Sequence, residues 1–419
     1  MRRWISRSAA TTTTLAAVVA AALVGVAGLS ACGHAHIVTL SRRTADPIHI
    51  GAIYCLTGAQ ASLDGPSLDG ARLAVDRINA TGGLLGRRVE LVERDGQSKA
   101  GVVRYDAQTL VAQHVTAMLG LSDSDLVLAA APVAARNFIP FVTSGATSPV
   151  LPHQVPHWLF LACFGDNAQA AAGAEYAVTE LGTRRIAILY DDDTDYTRLL
   201  AGYFATSVRA YGGKVVFARA FHSGERDIAK LMAREPQDTD GGGTAEVGEL
   251  PLRAHLIYLA AGPGDAGPLV RRLRAAGYGQ PIMGGDSFDN ARLVSAAEGS
   301  GGGVYFTTHA ALGLPHSTAA MRRFSTRYTS AYGRPPENAF AALGYDTVNL
   351  VAKAILRAKS AEPQRVRDAL LKMHAFNGVT GAMSYAGDTF VPRKDVTIVA
   401  VGSQAELAAQ LTPVYMPKP

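Results

Sequence analysis

From Pro47 onward, the chain alternates short apolar runs with segments of helical periodicity, and this alternation limits the fold more than any other feature. Ile48–Tyr54 is a short apolar run typical of a buried strand, whereas 69–79 spaces its apolar residues every three or four positions, as a helix does. Repeated strand–helix units of this kind fold as a parallel sheet with helices on both faces. Binding sites in such sheets lie at the carboxyl ends of the strands.

The rhythm appears in two successive runs, and 419 residues are too many for one core of ordinary size. We therefore predict an α/β fold of two doubly wound parallel-sheet lobes. In the first run, strands are predicted at 48–54, 88–92, 117–119 and 138–142, and helices at 69–79, 102–113 and 125–135. In the second run, 158–163 is predicted to be extended, strands are predicted at 185–190, 214–217, 254–260 and 281–283, and helices at 167–181, 198–211, 228–234 and 269–276.

The rest of the chain predicts how the lobes are joined. A strand at 304–307 precedes helices at 319–332, 337–358 and 363–374 and strands at 381–385 and 396–401. If these helices return to the first lobe, the chain crosses between lobes near 160, 307 and 385, which makes a hinge. The predicted boundaries are 47–160 with 308–384 for lobe 1, and 161–307 with 385–412 for lobe 2. The turn-rich segment 235–251 is interpreted as a surface insertion.

The N-terminus has the pattern of an export signal. Arg2, Arg3 and Arg7 precede an apolar stretch at 15–26 and small residues. The stretch ends at "LSAC" (29–32), which resembles the bacterial lipobox. That resemblance implies cleavage after a signal peptide of residues 1–31, a lipid on Cys32, and a linker over 32–46. The protein would then be anchored to the outer face of the cytoplasmic membrane. A transmembrane anchor or a secreted protein is the alternative.

Charge and cysteine content narrow the remaining classes. Without the three N-terminal arginines the net charge is 37 − 35 = +2, which is too small and too evenly spread for a nucleic-acid partner. Cys55 and Cys163 would lie in an oxidising compartment, where either a disulfide or two free thiols is compatible with the sequence. Their spacing matches no metal pattern.

Motifs for catalysis are missing from the sequence. It contains no Gly-x-Ser-x-Gly elbow, His-Glu-x-x-His helix, Cys-x-x-Cys pair or phosphate loop ending in Gly-Lys-Ser/Thr. A triad assembled only in space would escape this search. We expect no enzyme activity, no cofactor and no bound metal.

Two polar loops follow predicted strands of the first lobe. In "GLSDSD" (120–125), Ser122, Asp123 and Ser124 lie at a helix N-terminus, where free N–H groups favour either an anion or a capping side chain. In "TSGATSP" (143–149), small residues offer hydroxyls and exposed main chain without any acid, base or thiol. We expect both loops to hold a small polar molecule. The residues of the second loop assigned to the site are Ser144, Gly145, Ala146 and Thr147.

The second lobe has two corresponding loops, "DDDTDY" (191–196) and "MGGDSF" (283–288). Tyr196 is suited to cover an aliphatic part of a ligand, and an exposed tyrosine at a helix start is the alternative. Asp286 is suited to pair with a cation, and an N-cap for the helix predicted at 289–297 is the alternative.

Several blocks resemble one family. "IHIGAIYCLTGAQASLDGPSLDGARLAVDRINATGGLLGRRVELVERDGQS" (48–98), "AAAPVAARNFIPFVTSGATSP" (129–149) and "RRIAILYDDDTDY" (184–196) look like branched-chain amino-acid-type periplasmic binding proteins. "RRLRAAGYGQPIMGGD" (271–286), "RYTSAYGRPPENAFAALGYDTVNLVAKAI" (327–355) and "FNGVTGAMSYAGD" (376–388) extend the likeness over most of 47–402. The resemblance implies a type I periplasmic-binding fold and a solute-binding role beside the permease and ATPase subunits of an ABC importer.

The same resemblance implies roles for individual residues. A ligand carboxylate would meet Ser124 and the Gly145–Thr147 loop, its ammonium would meet Asp286, and Tyr196 would close over it. Two positions depart from the family, because Leu63 and Gly262 stand where aromatic residues commonly line the pocket.

Asp123 is a third departure, because its carboxylate would oppose that of a ligand. Two such charges ~4 Å apart cost on the order of 4 kcal/mol even at an effective dielectric of about 20. Either Asp123 turns away to cap its helix, or the ligand is an amide, a urea-like compound or a cationic amino-acid derivative. We therefore expect a protein that closes on a small polar solute by a hinge motion and delivers it for import. A sensor of the same fold that signals through a partner is the alternative.

Overall fold

Two β-sheets organise the part of the chain described by the structure, a computed structural model that covers residues 46–232, 253–298, 303–315, 317–385, 390–402 and 404–419. The predicted signal peptide, Cys32, the linker up to 45 and the predicted insertion at 235–251 lie outside the described residues.

The first sheet is parallel throughout and carries helices on both faces. Its strands are β1 (Ile48–Tyr54), β2 (Val89–Asp95), β3 (Ala117–Gly120), β4 (Phe141–Thr143) and β5 (Leu159–Leu161), in the order β2-β1-β3-β4-β5. The helices between these strands are α1 (Ala61–Ala80), α2 (Ala100–Ala112), α3 (Ser124–Arg136) and the short α4 (Leu151–Gln154). Separate apolar clusters cover the two faces, one including α1 and the other α2 and α3.

The second sheet has seven strands in the order β14-β13-β10-β9-β8-β6-β7. They are β6 (Arg185–Asp191), β7 (Lys214–Phe221), β8 (Leu256–Ala260), β9 (Ile282–Gly284), β10 (Val304–Thr308), β13 (Val396–Val401) and β14 (Ala405–Leu411). The associated helices are α5 (Asp166–Glu175), which continues as a π-helical turn (Tyr176–Glu180), α6 (Asp195–Ala210), α7 (Ile228–Met232), α8 (Ala266–Ala275) and α9 (Ala291–Glu298).

Two antiparallel strands at one edge modify the predicted all-parallel second sheet. β13 pairs antiparallel to β10, and β14 pairs antiparallel to β13. β14 was not predicted, because its sequence AELAAQL has neither a strong apolar run nor a strict alternation. The doubly wound α/β class holds for the rest of the sheet.

The C-terminal helices pack on the first sheet. These are α10 (Ala319–Tyr332), α11 (Ala339–Ala358) and α12 (Pro363–Leu371), and all three contribute to the apolar cluster that includes α1. The hairpin of β11 (Phe376–Gly378) and β12 (Gly381–Met383) follows them. The chain thus passes from the first sheet to the second after β5, returns after β10, and passes to the second again between β12 and β13. We call the parts around the two sheets lobe 1 and lobe 2.

α11 is long and apolar enough to cross a membrane, yet 83% of its apolar window is buried within the protein. It is a core helix: its small residues Ala341 and Gly344 lie against the main chain of α1 at Gly70 and Ser67.

α1 begins at Ala61, eight residues before the start predicted at 69, although Pro66 lies inside it. Proline cannot donate the helical hydrogen bond to the carbonyl four residues earlier, here that of Ser62. Asn338 Nδ2 donates to Ser62 O at 2.9 Å instead. A distant side chain therefore satisfies the carbonyl that the proline leaves free, and the longer helix brings Leu63 to the edge of the sheet, where the cleft lies.

Candidate functional site

A small cavity lies between the carboxyl ends of the two sheets. Loops after β3, β6, β8 and β9 converge on it, together with the starts of α1 and α11. Its volume is about 30 Å³, which is room for one or two water molecules. The residues that line it are Gln60, Leu63, Ser122, Asp123, Thr194, Tyr196, Gly262, Pro263, Asp286, Ser287 and Phe340.

The lobes touch on either side of this cavity. Asp195 N in lobe 2 donates to Asp125 Oδ2 in lobe 1 at 3.2 Å. Ala339 N in lobe 1 donates to Asp289 Oδ2 in lobe 2 at 3.0 Å. Two hydrogen bonds therefore join the facing rims of the lobes beside the cavity.

The lobe-1 wall begins at a strained turn after β3. Gly120 has φ +121°, and a Cβ there would lie 1.9 Å from Ile53 O, so only glycine fits. Leu121 follows with φ +58°, an unusual value for a branched side chain. This turn points Ser122 and Asp123 into the cleft.

Asp123 acts as the N-cap of α3, which is one of the two alternatives that the sequence left open. Its Oδ1 accepts from Leu126 N at 3.0 Å, and its Oδ2 accepts from Gln60 Nε2 at 3.0 Å. Capping does not remove the carboxylate from the cleft, because Asp123 still lines the cavity. Burial raises the pKa of Asp123 to about 6, and neighbouring Asp125 contributes in the same direction.

The loop TSGATSP lies behind this wall. Ser144 Oγ accepts from Ser67 Oγ at 3.2 Å, Ala146 N donates to Thr143 Oγ1 at 3.0 Å, and Thr147 O accepts from Asp166 N at 2.7 Å. At Gly145, a Cβ would lie 2.6 Å from Phe340 Cε1 and 2.8 Å from Ser122 Oγ. The close approach that Gly145 permits is therefore that of the Phe340 ring.

The lobe-2 wall is centred on the carboxylate of Asp286, which is 2% exposed. Its Oδ1 accepts from Tyr196 Oη at 2.8 Å and from Gln169 Nε2 at 3.0 Å. Its Oδ2 lies 2.9 Å from His309 Nε2. Three donors of the protein itself thus bind this carboxylate. Burial raises the pKa of Tyr196 well above its usual range, so the phenol keeps its proton and donates.

Behind Asp286 the polar network continues into the core. Gln169 Nε2 also donates to Asp166 Oδ1 at 2.9 Å, and its Oε1 accepts from Thr307 Oγ1 at 2.7 Å. Burial raises the pKa of Asp166 to about 8 and, through desolvation, lowers that of His309. The His309 ring stacks on Phe164 with centroids 3.8 Å apart. Burial therefore favours the protonated form of Asp166 and the neutral form of His309, and the Nε2–H tautomer of a neutral His309 donates to Asp286.

The structure brings six of the eleven residues assigned from the sequence to the cavity: Leu63, Ser122, Asp123, Tyr196, Gly262 and Asp286. The other five lie behind the lobe-1 wall and do not line it: Ser124, Ser144, Gly145, Ala146 and Thr147. Asp286 is not the N-cap that the sequence allowed as its alternative role. Asn290 caps α9 instead, because its Oδ1 accepts from Leu293 N at 3.0 Å.

Sequence reasoning missed Gln60, Thr194, Pro263, Ser287 and Phe340 as lining residues. Ser287 and Pro263 adjoin assigned residues in the chain, so wider loop windows would have included them. Gln60 and Phe340 begin helices whose positions depend on long-range packing, and no local signal marks them. Gln169 and His309, which hold Asp286, are likewise distant in sequence.

Cys55 and Cys163 are free, buried thiols in the described part of the chain, and no disulfide joins them. Cys163 Sγ donates to Ala146 O at 3.2 Å. Among the described residues, no cluster of His, Cys, Asp and Glu has the geometry of a metal site.

Known proteins place this architecture in a family. The family model described as "Periplasmic binding protein" matches residues 47–406. The chain is 28% identical over 318 residues to the Leu/Ile/Val-binding protein BraC3 of Rhizobium johnstonii, covering 75% of this chain and 80% of that protein. It is 27% identical over 358 residues to an amino acid binding protein of Pseudomonas aeruginosa, covering 84% and 90%.

Solved structures agree with the sequence comparisons. The branched-chain amino acid substrate-binding protein LivJ of Streptococcus pneumoniae, in complex with isoleucine, superposes with a TM-score of 0.75 at 27% identity, covering 87% of this chain and 100% of LivJ. The leucine binding protein LivK of Thermotoga maritima superposes with a TM-score of 0.76 at 26% identity, covering 87% and 99%. With its two α/β lobes and the cleft between them, the chain belongs to the periplasmic binding protein family and has the type I fold of that family.

Proposed function

We propose that the protein is the solute-binding lipoprotein of an ABC importer and captures a small polar solute between its lobes. The observation that carries this proposal is the cavity lined by polar loops from both sheets. A solute that contacts both lobes favours the closed arrangement over the open one, because only closure makes both sets of contacts.

The lobes proposed to move are 47–160 with 308–384 and 161–307 with 385–412, and the three chain passages between the sheets form the hinge. The first contacts are made by Leu63, Ser122, Asp123, Tyr196, Gly262 and Asp286. Ser124, Ser144, Gly145, Ala146 and Thr147 support the lobe-1 wall from behind.

The solute class includes amino acids and their relatives, such as amides and urea-like compounds. Leu/Ile/Val-binding relatives and the isoleucine complex of LivJ support amino acids. Delivery to a permease and an ATPase, and anchoring of the protein outside the cytoplasmic membrane through Cys32, complete the proposal. Binding occurs without turnover.

A thermal-shift screen of amino acids, amides, ureas, polyamines and carboxylates tests this function, because a ligand that binds only the folded state raises the melting temperature. We expect at least one compound to raise it and to be recovered unchanged. Recovery of a chemically altered compound would indicate an enzyme, and a genomic neighbourhood with a histidine kinase in place of permease and ATPase genes would indicate a sensor.

A further inference from the structure

The lobe-1 side of the cavity presents hydrogen-bond acceptors where a ligand carboxylate would require donors. Gln60 Nε2 donates to the carboxylate of Asp123, and this contact fixes the orientation of the amide group. The amide oxygen Gln60 Oε1 is therefore the free acceptor of this side chain, and it is buried without a hydrogen-bond partner among the described residues. Ser122 Oγ is also buried; its hydroxyl acts on Asp64 as a hydrogen-bond donor, which leaves its oxygen lone pairs as acceptors.

A second carboxyl lies directly behind this wall. Asp64 is fully buried, its Oδ2 accepts from Cys55 N at 2.7 Å, and the Ser122 hydroxyl lies beside the carboxyl. Burial raises the pKa of Asp64 to about 7, and the charge of Asp123 acts in the same direction. The wall therefore becomes more negative as either group ionises.

Neighbouring charges do not neutralise Asp123. Asp125 in the first turn of α3 and Asp195 in lobe 2 are both acidic, and both raise the pKa of Asp123. Arg198 lies near Asp125, but its guanidinium is held by Asp192 and Asp195. No lysine or arginine lines the cavity in the described parts of the chain.

The N-terminus of α3 is not available to bind an anion either. Asp123 itself accepts the N–H of Leu126, the group that a bound anion would use. The opposite wall does not supply a donor through Asp286, because this carboxylate itself accepts hydrogen bonds from Tyr196, Gln169 and His309.

We propose that the solute presents a cationic, N–H-donating group to the lobe-1 wall, where Asp123 and Gln60 receive it, and that no carboxylate binds there. An ammonium, guanidinium or amidinium group supplies the donors that the Asp123 carboxylate, Gln60 Oε1 and Ser122 Oγ can accept. This inference rests on the proposed solute-binding function and names the solute class of that site.

Matched probes of one carbon skeleton test the charge preference. Leucinamide is a cation, leucine a zwitterion and 4-methylpentanoate an anion; glycinamide, glycine and acetate form a smaller series. Calorimetric titration of the purified protein at pH 7 should give at least tenfold tighter binding of an amide than of its amino acid, and no binding of the anion. Tighter binding of leucine, glycine or either carboxylate, or no binding of either amide, would overturn the proposal.

Asp123→Asn tests the residue. Asparagine retains the cap, so the melting temperature should stay within a few degrees. The affinity for the amide should fall at least tenfold, and the ratio of amide affinity to amino-acid affinity should become smaller. Asp106→Asn, which changes a buried lobe-1 carboxyl that does not line the cleft, is the matched control and should leave the preference unchanged. An equal effect of the two substitutions contradicts the assignment.

The charge preference and the solute-binding function can be refuted separately. If a carboxylate from the broader screen binds the wild-type protein and the amides do not, the charge preference is wrong and the solute-binding function stands. If no compound of the broader screen binds, the solute-binding function itself is refuted.

Discussion

The phenolic oxygen of Tyr196 lies 2.8 Å from Oδ1 of Asp286 and donates a hydrogen bond to it. This contact joins the start of α6 to the turn after β9, two segments that form the lobe-2 wall of the cleft. Because Gln169 and His309 bind the same carboxylate, Tyr196 is held in position by a network that extends into the core.

Tyr196→Phe should therefore affect both binding and stability. Loss of a hydrogen bond to a charged group should lower the free energy of unfolding by about 1.5–3 kcal/mol. We expect solute affinity to fall at least tenfold, because the ring loses the contact that orients it over the cavity. Chemical denaturation and titration measure the two effects. Tyr203→Phe, on the same helix but away from the cavity, should change neither, and unchanged affinity in Tyr196→Phe would exclude the proposed role.

Gly145→Ala should displace the Phe340 ring, since the new Cβ would lie 2.6 Å from Phe340 Cε1. Overpacking of this kind costs about 1–3 kcal/mol of stability. Solute affinity should fall as well, because Phe340 lines the cavity. The double variant Gly145→Ala/Phe340→Leu should recover part of the lost stability, measured as a coupling energy in a double-mutant cycle. Additive effects would show that the two positions do not contact each other.

The buried carboxyls predict that stability falls as the pH rises from about 4 to 8. Burial raises the pKa of Asp166 to about 8, whereas an unfolded aspartate releases its proton near pH 3.9. Between these values the folded state binds more protons than the unfolded state, so raising the pH favours unfolding. His309 acts oppositely below about pH 6.5, because burial lowers its pKa.

Melting temperatures at pH 5, 6.5 and 8 measure this dependence. Asp166→Asn should make it shallower, because the neutral side chain has no proton to lose. Asp76→Asn, at an exposed position of α1, should leave the slope unchanged. A wild-type protein whose melting temperature rises steadily from pH 6.5 to pH 8 would contradict the assignment.

Lys394 joins two of the passages between the lobes. Its Nζ donates to Ala162 O at 3.0 Å, just after β5, and to Thr380 Oγ1 at 2.5 Å, in the β11–β12 turn. Asp346 lies close enough for its charge to favour the ammonium form, although burial lowers the pKa of Lys394 to about 8. Lys394→Met would leave Ala162 O and Thr380 Oγ1 without this buried donor, and we expect a loss of about 1–3 kcal/mol in the free energy of unfolding.

The exposed Lys359→Met is the control for that variant, with an expected change below about 0.5 kcal/mol. Denaturant titration distinguishes the two. An equal, small effect of both substitutions would show that Lys394 does not hold the passages together.

Membrane association should depend on Cys32. Cys32→Ser removes the thiol that would carry the lipid, so the protein should move from the membrane fraction to the soluble extracytoplasmic fraction. Cys163→Ala removes a buried thiol instead and should leave the protein in the membrane fraction. Complete retention of Cys32→Ser in membranes would refute the lipid anchor.

Local sequence patterns were sufficient to predict most of the fold. Apolar runs and helical periodicity gave α10 and β13 with the bounds that the structure has, and placed most other elements within a few residues. The strand-end rule also led to Ser122, Tyr196 and Asp286, because carboxyl ends of parallel strands share one edge of the sheet.

Long-range contacts decided what the sequence by itself left undetermined. Asn338 gives Ser62 O the hydrogen bond that Pro66 cannot donate within α1, and the Phe340 ring packs against Gly145. The polarity of the cleft depends on which buried groups satisfy one another: Asp123 takes the donor of Gln60, and Gln60 Oε1 is left without a partner among the described residues. Periodicity reports only which face of an element is buried. Hydrogen-bond partners hundreds of residues apart, and the pKa shifts that burial causes, exist only once the chain has folded.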